Sequence, residues 1–174
     1  MTEEVDFLIR RIREEYGAGS LPAGMGPAGE DPPPLALIDR QDVEDEDDIE
    51  QRKSELTRGN IVSIASVDES STPIGTEYDH DIERVAGIRI EGLTADKYGY
   101  VDESGDSGAP WSSLVRVIRR AILRARAYPA TGTPNIDYTH LELTNAAPQS
   151  QTWSDYYRYD VDVLFDGFER LPDI

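Results

Sequence analysis

Residues 156–172 read YYRYDVDVLFDGFERLP and show the cleanest alternation of apolar and charged side chains in the chain. Aromatic and aliphatic side chains occupy alternate positions in it: Tyr157, Tyr159, Val161, Val163 and Phe165. The positions facing the other way are mainly charged: Arg158, Asp160, Asp162 and Asp166. Successive side chains of a strand point to opposite faces, so the pattern predicts a strand with one buried face. A slip of one residue would expose the whole apolar row, which specifies the register.

A second alternating segment comes just before it, around residues 136–143. Asp137, Thr139, Leu141 and Leu143 alternate there with Ile136, Tyr138, His140 and Glu142. A turn around residues 147–151 separates the two segments. We therefore predict that they form an antiparallel pair.

The segment before this pair has the spacing of an amphipathic helix. Pro110 suits the first helical turn, and Pro129 is expected to end the helix. The apolar positions form one continuous stripe: Trp111, Leu114, Val115, Ile118, Ala121, Ile122 and Ala125. A helix with such a stripe is expected to pack over the sheet.

The N-terminal half adds one more helix and several short strands. Apolar residues at spacings of three and four predict a helix that ends at Gly17: Val5, Leu8, Ile9, Ile12 and Tyr16. Strands are predicted at residues 35–38, 60–67 and 85–93. The DESS segment at residues 68–71 predicts a turn, with a further short strand around residues 74–78.

These elements predict an α+β fold with a mostly antiparallel sheet of about four to six strands. One long amphipathic helix packs on that sheet, and an N-terminal helix is added to it. The length suits a single domain over residues 1–174. A Gly/Pro-rich arm or loop at residues 17–34 and an acidic loop at residues 42–50 interrupt it.

The charge is the strongest compositional signal. The chain has 35 acidic and 17 basic residues, a net charge of −18, and Lys53 and Lys97 are its two lysines. Abundant carboxylates, scarce lysine and an ordinary aliphatic content favour adaptation to high salt, where self-repulsion is screened. The chain has no cysteine, which excludes disulfides and thiol chemistry. No apolar run has the roughly 18 residues expected of a membrane helix, so no membrane association is predicted.

Three motifs suggest chemistry, and each is weak. Residues 105–110, GDSGAP, resemble the GDSGGP segment around the nucleophile of chymotrypsin-like proteases, but they lead into a helix. His80 and His140 are the two histidines, and neither has the sequence context of a triad base. The acidic run lacks the spaced ligands and central glycine of a calcium loop. We therefore predict no catalytic residues, no cofactor and no metal site, and we expect that the protein is not an enzyme.

The polar face of the second helix is the best candidate for a functional surface. It carries a run of arginines: Arg116, Arg119, Arg120, Arg124 and Arg126. No acidic residue occurs between Asp106 and Asp137. These arginines either pair with the protein's own carboxylates or meet an acidic surface of a neighbouring subunit, since guanidinium groups pair well with carboxylates. Nucleic-acid binding is the third reading, and the net charge opposes it.

The order of elements resembles the tail-terminator or tail-completion (neck) proteins of tailed viruses, here of a halophilic archaeal virus. The resemblance covers chiefly residues 86–172. Three segments carry it: TPIGTEYDHDIERVAGIRIEG at 72–92, PWSSLVRVIRRAIL at 110–123, and YYRYDVDVLFDGFERLP at 156–172. Residues 17–34 and 42–50 have no counterpart in that family.

This resemblance implies a virion structural protein that forms a homo-hexameric ring at the head–tail junction or tail end. Its partners would be tail-tube, neck or head-completion proteins, and it would be assembled in the host cytoplasm. DNA would pass nearby without specific binding, and the family has no catalytic residues to carry over. The alternative reading is a cytoplasmic protein-interaction module of a halophile.

The salt adaptation predicts that stability depends on ionic strength. Dialysis below a few hundred millimolar salt should unfold the protein, because the screening length grows from about 3 Å at 1 M to about 10 Å at 0.1 M. Thermal melts in dilute buffer and in molar KCl test this. Equal melting temperatures in the two buffers would contradict the prediction.

Overall fold

A computed structural model describes residues 3–17, 35–39, 60–93, 111–148 and 156–171. Two helices lie in these ranges: α1 at Glu3–Gly17 and α2 at Trp111–Leu123. Acidic residues in the first turn of α1 suit the positive end of its dipole. Neither helix is long and apolar enough to cross a membrane.

The strands form one mixed sheet. Its members are β1 at Leu35–Asp39, β2 at Asn60–Ile74, β3 at Thr76–Leu93, β4 at Ile136–Pro148 and β5 at Tyr156–Arg170. Their order across the sheet is β1-β2-β3-β5-β4. β1 runs parallel to β2, and the other neighbours are antiparallel. The α+β class and the pairing of the last two strands are confirmed.

One face of the sheet, here called the inner face, forms the core with both helices. β3 and β5 contribute paired apolar rows to it, with Ile88 opposite Val161 and Ala86 opposite Val163. The predicted alternation of β5 is confirmed at its buried residues: Tyr159, Val161, Val163 and Phe165. Burying a side chain such as Phe165 stabilises the fold by about 1.5–3 kcal/mol. The opposite side of the sheet is here called the outer face.

A β-bulge interrupts the regular alternation that was predicted for residues 136–143. Ile136 and Tyr138, at even-numbered positions, are buried. Leu141 is also buried and Leu143 is half-buried, although both are at odd-numbered positions. The register of β4 against β5 shifts between Tyr138 and His140. The extra residue turns the strand so that both sets face inward.

The prediction of a turn at residues 68–71 is wrong, because this segment lies within β2. Asp68 pairs with Val85 and Ser71 with Ile82, which places the segment in an antiparallel ladder with β3. The register shift between Ser66 and Asp68 absorbs one residue. The chain reverses instead at Gly75, whose φ of +74° favours glycine.

The second helix is shorter than predicted, since it ends at Leu123 and not near Pro129. The following backbone bonds to β4: the Leu141 amide donates to the Arg126 carbonyl at 2.9 Å, and the Tyr128 amide donates to the Thr139 carbonyl at 2.9 Å. If the helix continued, the Arg126 carbonyl and the Tyr128 amide would be used in hydrogen bonds within the helix. Arg124 and Arg126 therefore follow α2 and do not lie on it.

Several predicted features lie outside the described residues. They are the acidic loop at 42–50, the GDSGAP segment at 105–110, and the arm at 17–34 except for Gly17, where α1 ends.

Gly167 allows β4 and β5 to approach closely at the bulge. A Cβ at this position would lie 2.3 Å from the Asp137 carbonyl oxygen and 2.6 Å from the Tyr138 Cα. Both contacts are with backbone, which cannot move aside without breaking the strand pair.

We therefore expect Gly167→Ala to lower the free energy of unfolding by at least about 2 kcal/mol, as overpacking does. Gly87→Ala is the matched control, because its Cβ would meet the exposed Val67 Cγ2 at 2.9 Å, and that side chain can rotate. Urea unfolding of both variants measures the difference. Equal losses in the two variants would refute the backbone clash.

Candidate subunit interface

The exposed side of α2 carries three of the five arginines that the sequence analysis selected as a candidate interface. Arg116, Arg119 and Arg120 are exposed, whereas Leu114, Ile118 and other residues of the opposite side are buried. Spacings of three and four residues place the three arginines on one helical side. Arg126 is also exposed and follows the helix. We call Arg116, Arg119, Arg120 and Arg126 the arginine face.

These four side chains differ from most other described arginines. Within the described residues, none of the four makes an ion pair or a side-chain hydrogen bond. Ion pairs are made instead by Arg11, Arg84, Arg89, Arg124, Arg158 and Arg170. Like charges at these helical spacings cost about 0.2–0.5 kcal/mol per pair. Within the part of the chain that the structure describes, no ion pair therefore compensates for the clustering of these charges.

Arg124, the fifth predicted residue, has an internal role. Its Nη1 lies 2.7 Å from Oε1 of Glu15, whose side chain is buried. The bridge ties the end of α1 to the turn after α2. The structure thus separates Arg124 from the other four.

The sequence did not single out the most connected polar group, Glu4. Its side chain is buried, and its Oε1 accepts hydrogen bonds from Tyr138 at 2.5 Å, Thr133 at 2.9 Å and Arg84 at 2.9 Å. These partners come from β4, the segment before it, and β3. Glu4 lies four residues before Leu8 and eight before Ile12, and this helical spacing places it on the buried side of α1.

The electrostatics of this cluster make it a structural element. Burial acts to raise the pKa of Glu4, but hydrogen bonds from Tyr138, backbone and Thr133, with the charge of Arg84, lower that pKa overall. Burial and the hydrogen bond to Glu4 raise the pKa of Tyr138. Both groups thus titrate farther from neutral pH than usual, which is opposite to what acid–base catalysis needs.

The two histidines lie on opposite faces of the sheet. His80 pairs in register with Glu169 on the inner face, and its Nδ1 lies 3.0 Å from the Ser71 hydroxyl. His140 pairs with Asp166 on the outer face. The described residues include no group of three or more side chains that could hold a metal ion.

The sequence matches no family model and no curated protein. Among solved structures, a chain from the "Virion of native gene transfer agent (GTA) particle" is similar, with a TM-score of 0.43 and 12% identity. The similarity covers 76% of this chain and 78% of that chain. A likeness at this level leaves the function to be inferred from the chain's own residues.

The Glu4 cluster predicts a specific pH dependence of stability. Glu4→Gln should lower the free energy of unfolding by about 2 kcal/mol at pH 7, because the charge-assisted hydrogen bond from Arg84 is weakened. Since the pKa of Glu4 is lowered by folding, its stabilisation is complete above the unfolded value of about 4.3 and is lost as pH falls through the folded value.

Urea titrations in molar salt from pH 7 to pH 3 would measure the gap between wild type and variant. Glu3→Gln is the matched control, because Glu3 is the exposed neighbour in the same helical turn. The gap for Glu4→Gln should shrink below about pH 4. A gap that stays constant or widens at low pH would contradict this assignment.

Proposed function

We propose that this protein is a virion structural subunit that assembles into a ring at the neck or tail end of a tailed virus. The arginine face carries this proposal. Four exposed guanidinium groups lack ion pairs within the described residues of a chain whose net charge is −18. Their geometry suits docking on carboxylates of another subunit, since guanidinium groups pair with carboxylates in a bidentate manner.

The order of elements supports the virion role. The fold keeps the sequence α1, three strands, α2 and two closing strands, on which the resemblance to tail-terminator proteins rests. Neck, head-completion or tail-tube proteins would be the other partners. An acidic channel wall would let DNA pass without specific binding, because phosphates and carboxylates repel each other.

The alternative is a cytoplasmic interaction module of a halophile. Such a module has no need to close a symmetric ring. The two functions therefore differ in the mass and shape of the particle in solution.

Light scattering behind a sizing column, in molar salt, should give the mass of a closed ring of about six subunits, the number that the family resemblance implies. Most homo-oligomers have closed symmetry. Negative-stain images of the same peak should show the ring. A protein that remains a monomer at all concentrations would count against the proposal.

The double variant Arg116→Ser/Arg120→Ser should shift the particle to monomer, because it removes half of the arginine face. Arg10→Ser/Arg13→Ser is the matched control, since it removes the same charge from two exposed arginines of α1. If both variants lose the ring equally, net charge and not the arginine face controls assembly.

A further inference from the structure

The outer face of the sheet has a partly exposed apolar centre, formed by side chains of β3 and β5. Val85 of β3 lies opposite Leu164 of β5, and both are half-buried. Phe168, further along β5 on the same face, is 51% exposed. Apolar side chains that share one face of a sheet and are not fully buried offer a surface that another molecule can cover.

Carboxylates surround this centre. They belong to β3, β4 and β5, and their side chains share the outer face: Asp81, Glu83, Asp137, Glu142, Asp162 and Asp166. Within the described residues, none of them pairs with an arginine or lysine. His140 lies beside Asp166, with 3.5 Å between Nε2 and Oδ2. We call the three apolar residues and these six carboxylates the outer patch.

The arginine face and the outer patch lie on opposite sides of one subunit. Both helices pack on the inner face, so Arg116, Arg119 and Arg120 on the exposed side of α2 point away from the sheet. The outer patch lies on the other side of that sheet. A subunit cannot bring its own two surfaces together, but a neighbour can.

We propose that the outer patch of one copy is the docking site for the arginine face of the next copy. This inference rests on the proposed ring and identifies the surface of the neighbouring copy that the arginine face contacts. The contact is head-to-tail, because it joins different surfaces of the two copies. Head-to-tail contacts close into rings when the rotation between copies allows it.

The chemistry of the two surfaces fits this pairing. Guanidinium groups are weakly hydrated, and they lie flat on apolar side chains while they bond to carboxylates. The three apolar residues of the outer patch would exclude water from those ion pairs. Partly buried pairs are screened much less than exposed ones, so the contact would persist in molar salt.

A charge exchange between the two surfaces tests the pairing. Variant one carries Arg116→Glu and Arg120→Glu. Variant two carries Glu83→Arg and Glu142→Arg, at two exposed positions on either side of β5. Each variant alone should be monomeric by light scattering. Their equimolar mixture should recover the mass of the wild-type ring, because each reversed surface then meets its complement.

The control carries Glu3→Arg and Asp6→Arg, two exposed positions on α1, and should keep the wild-type mass. Recovery in the mixture also shows that both variants are folded. If variant two does not fold, Glu83→Gln with Glu142→Gln replaces it. That milder variant should raise the dissociation constant of the ring contact at least tenfold.

The outcomes separate this inference from the proposed function. If the wild type forms a ring and variant two keeps it, the outer patch is not the acceptor, while the ring stands. A mixture that stays monomeric overturns the pairing of these two surfaces. A wild type that is monomeric at every concentration overturns both proposals.

Discussion

The apolar row on the inner face of β5 must be kept from water, and the arrangement of the molecule follows from this requirement. This row consists of Tyr159, Val161, Val163 and Phe165, and it lies beside the apolar row of β3. Strands of the same sheet cannot cover the face that the two rows form. The buried sides of α1 and α2 cover it. Because both helices are drawn to the same face, the polar side of α2 and the outer face of the sheet point in opposite directions.

The helical layer is also held by polar contacts of defined geometry. Glu4 reaches from α1 to Arg84 of β3, Tyr138 of β4 and Thr133. Leaving one partner of a buried ion pair alone is costly, since the charge then lacks compensation. This cluster therefore fixes how α1 sits on the sheet, which apolar packing alone specifies less sharply. Arg124 and Glu15 make a similar link between the far end of α1 and the turn after α2.

The proposed function depends on the arginine face and on the carboxylates of the outer patch. A chain of charge −18 has carboxylates enough to neutralise every arginine, yet the arginine face and the carboxylates of the outer patch are left apart within the subunit. The sheet and the helical layer separate them. In the proposed ring, each subunit supplies the counter-charges that its neighbour lacks. High salt would weaken nonspecific repulsion between such acidic subunits and leave the short, partly buried ion pairs in place.

The α+β class, the register of β5, the two helical stripes and the cluster of arginines could be predicted from the sequence, because each depends on the spacing of residues near one another in the chain. The remaining features depend on contacts between distant segments. The bulge after Tyr138 and the passage of residues 68–71 through β2 depend on pairing with distant strands, and α2 stops at Leu123 because the next backbone groups bond to β4. Arg124 and Arg126 resemble Arg116 and Arg120 in the sequence, and only the position of Glu15 separates Arg124 from the others. No local pattern could place Glu4 beside residues 80 and 134 positions away, since that contact exists only once the helix is packed on the sheet.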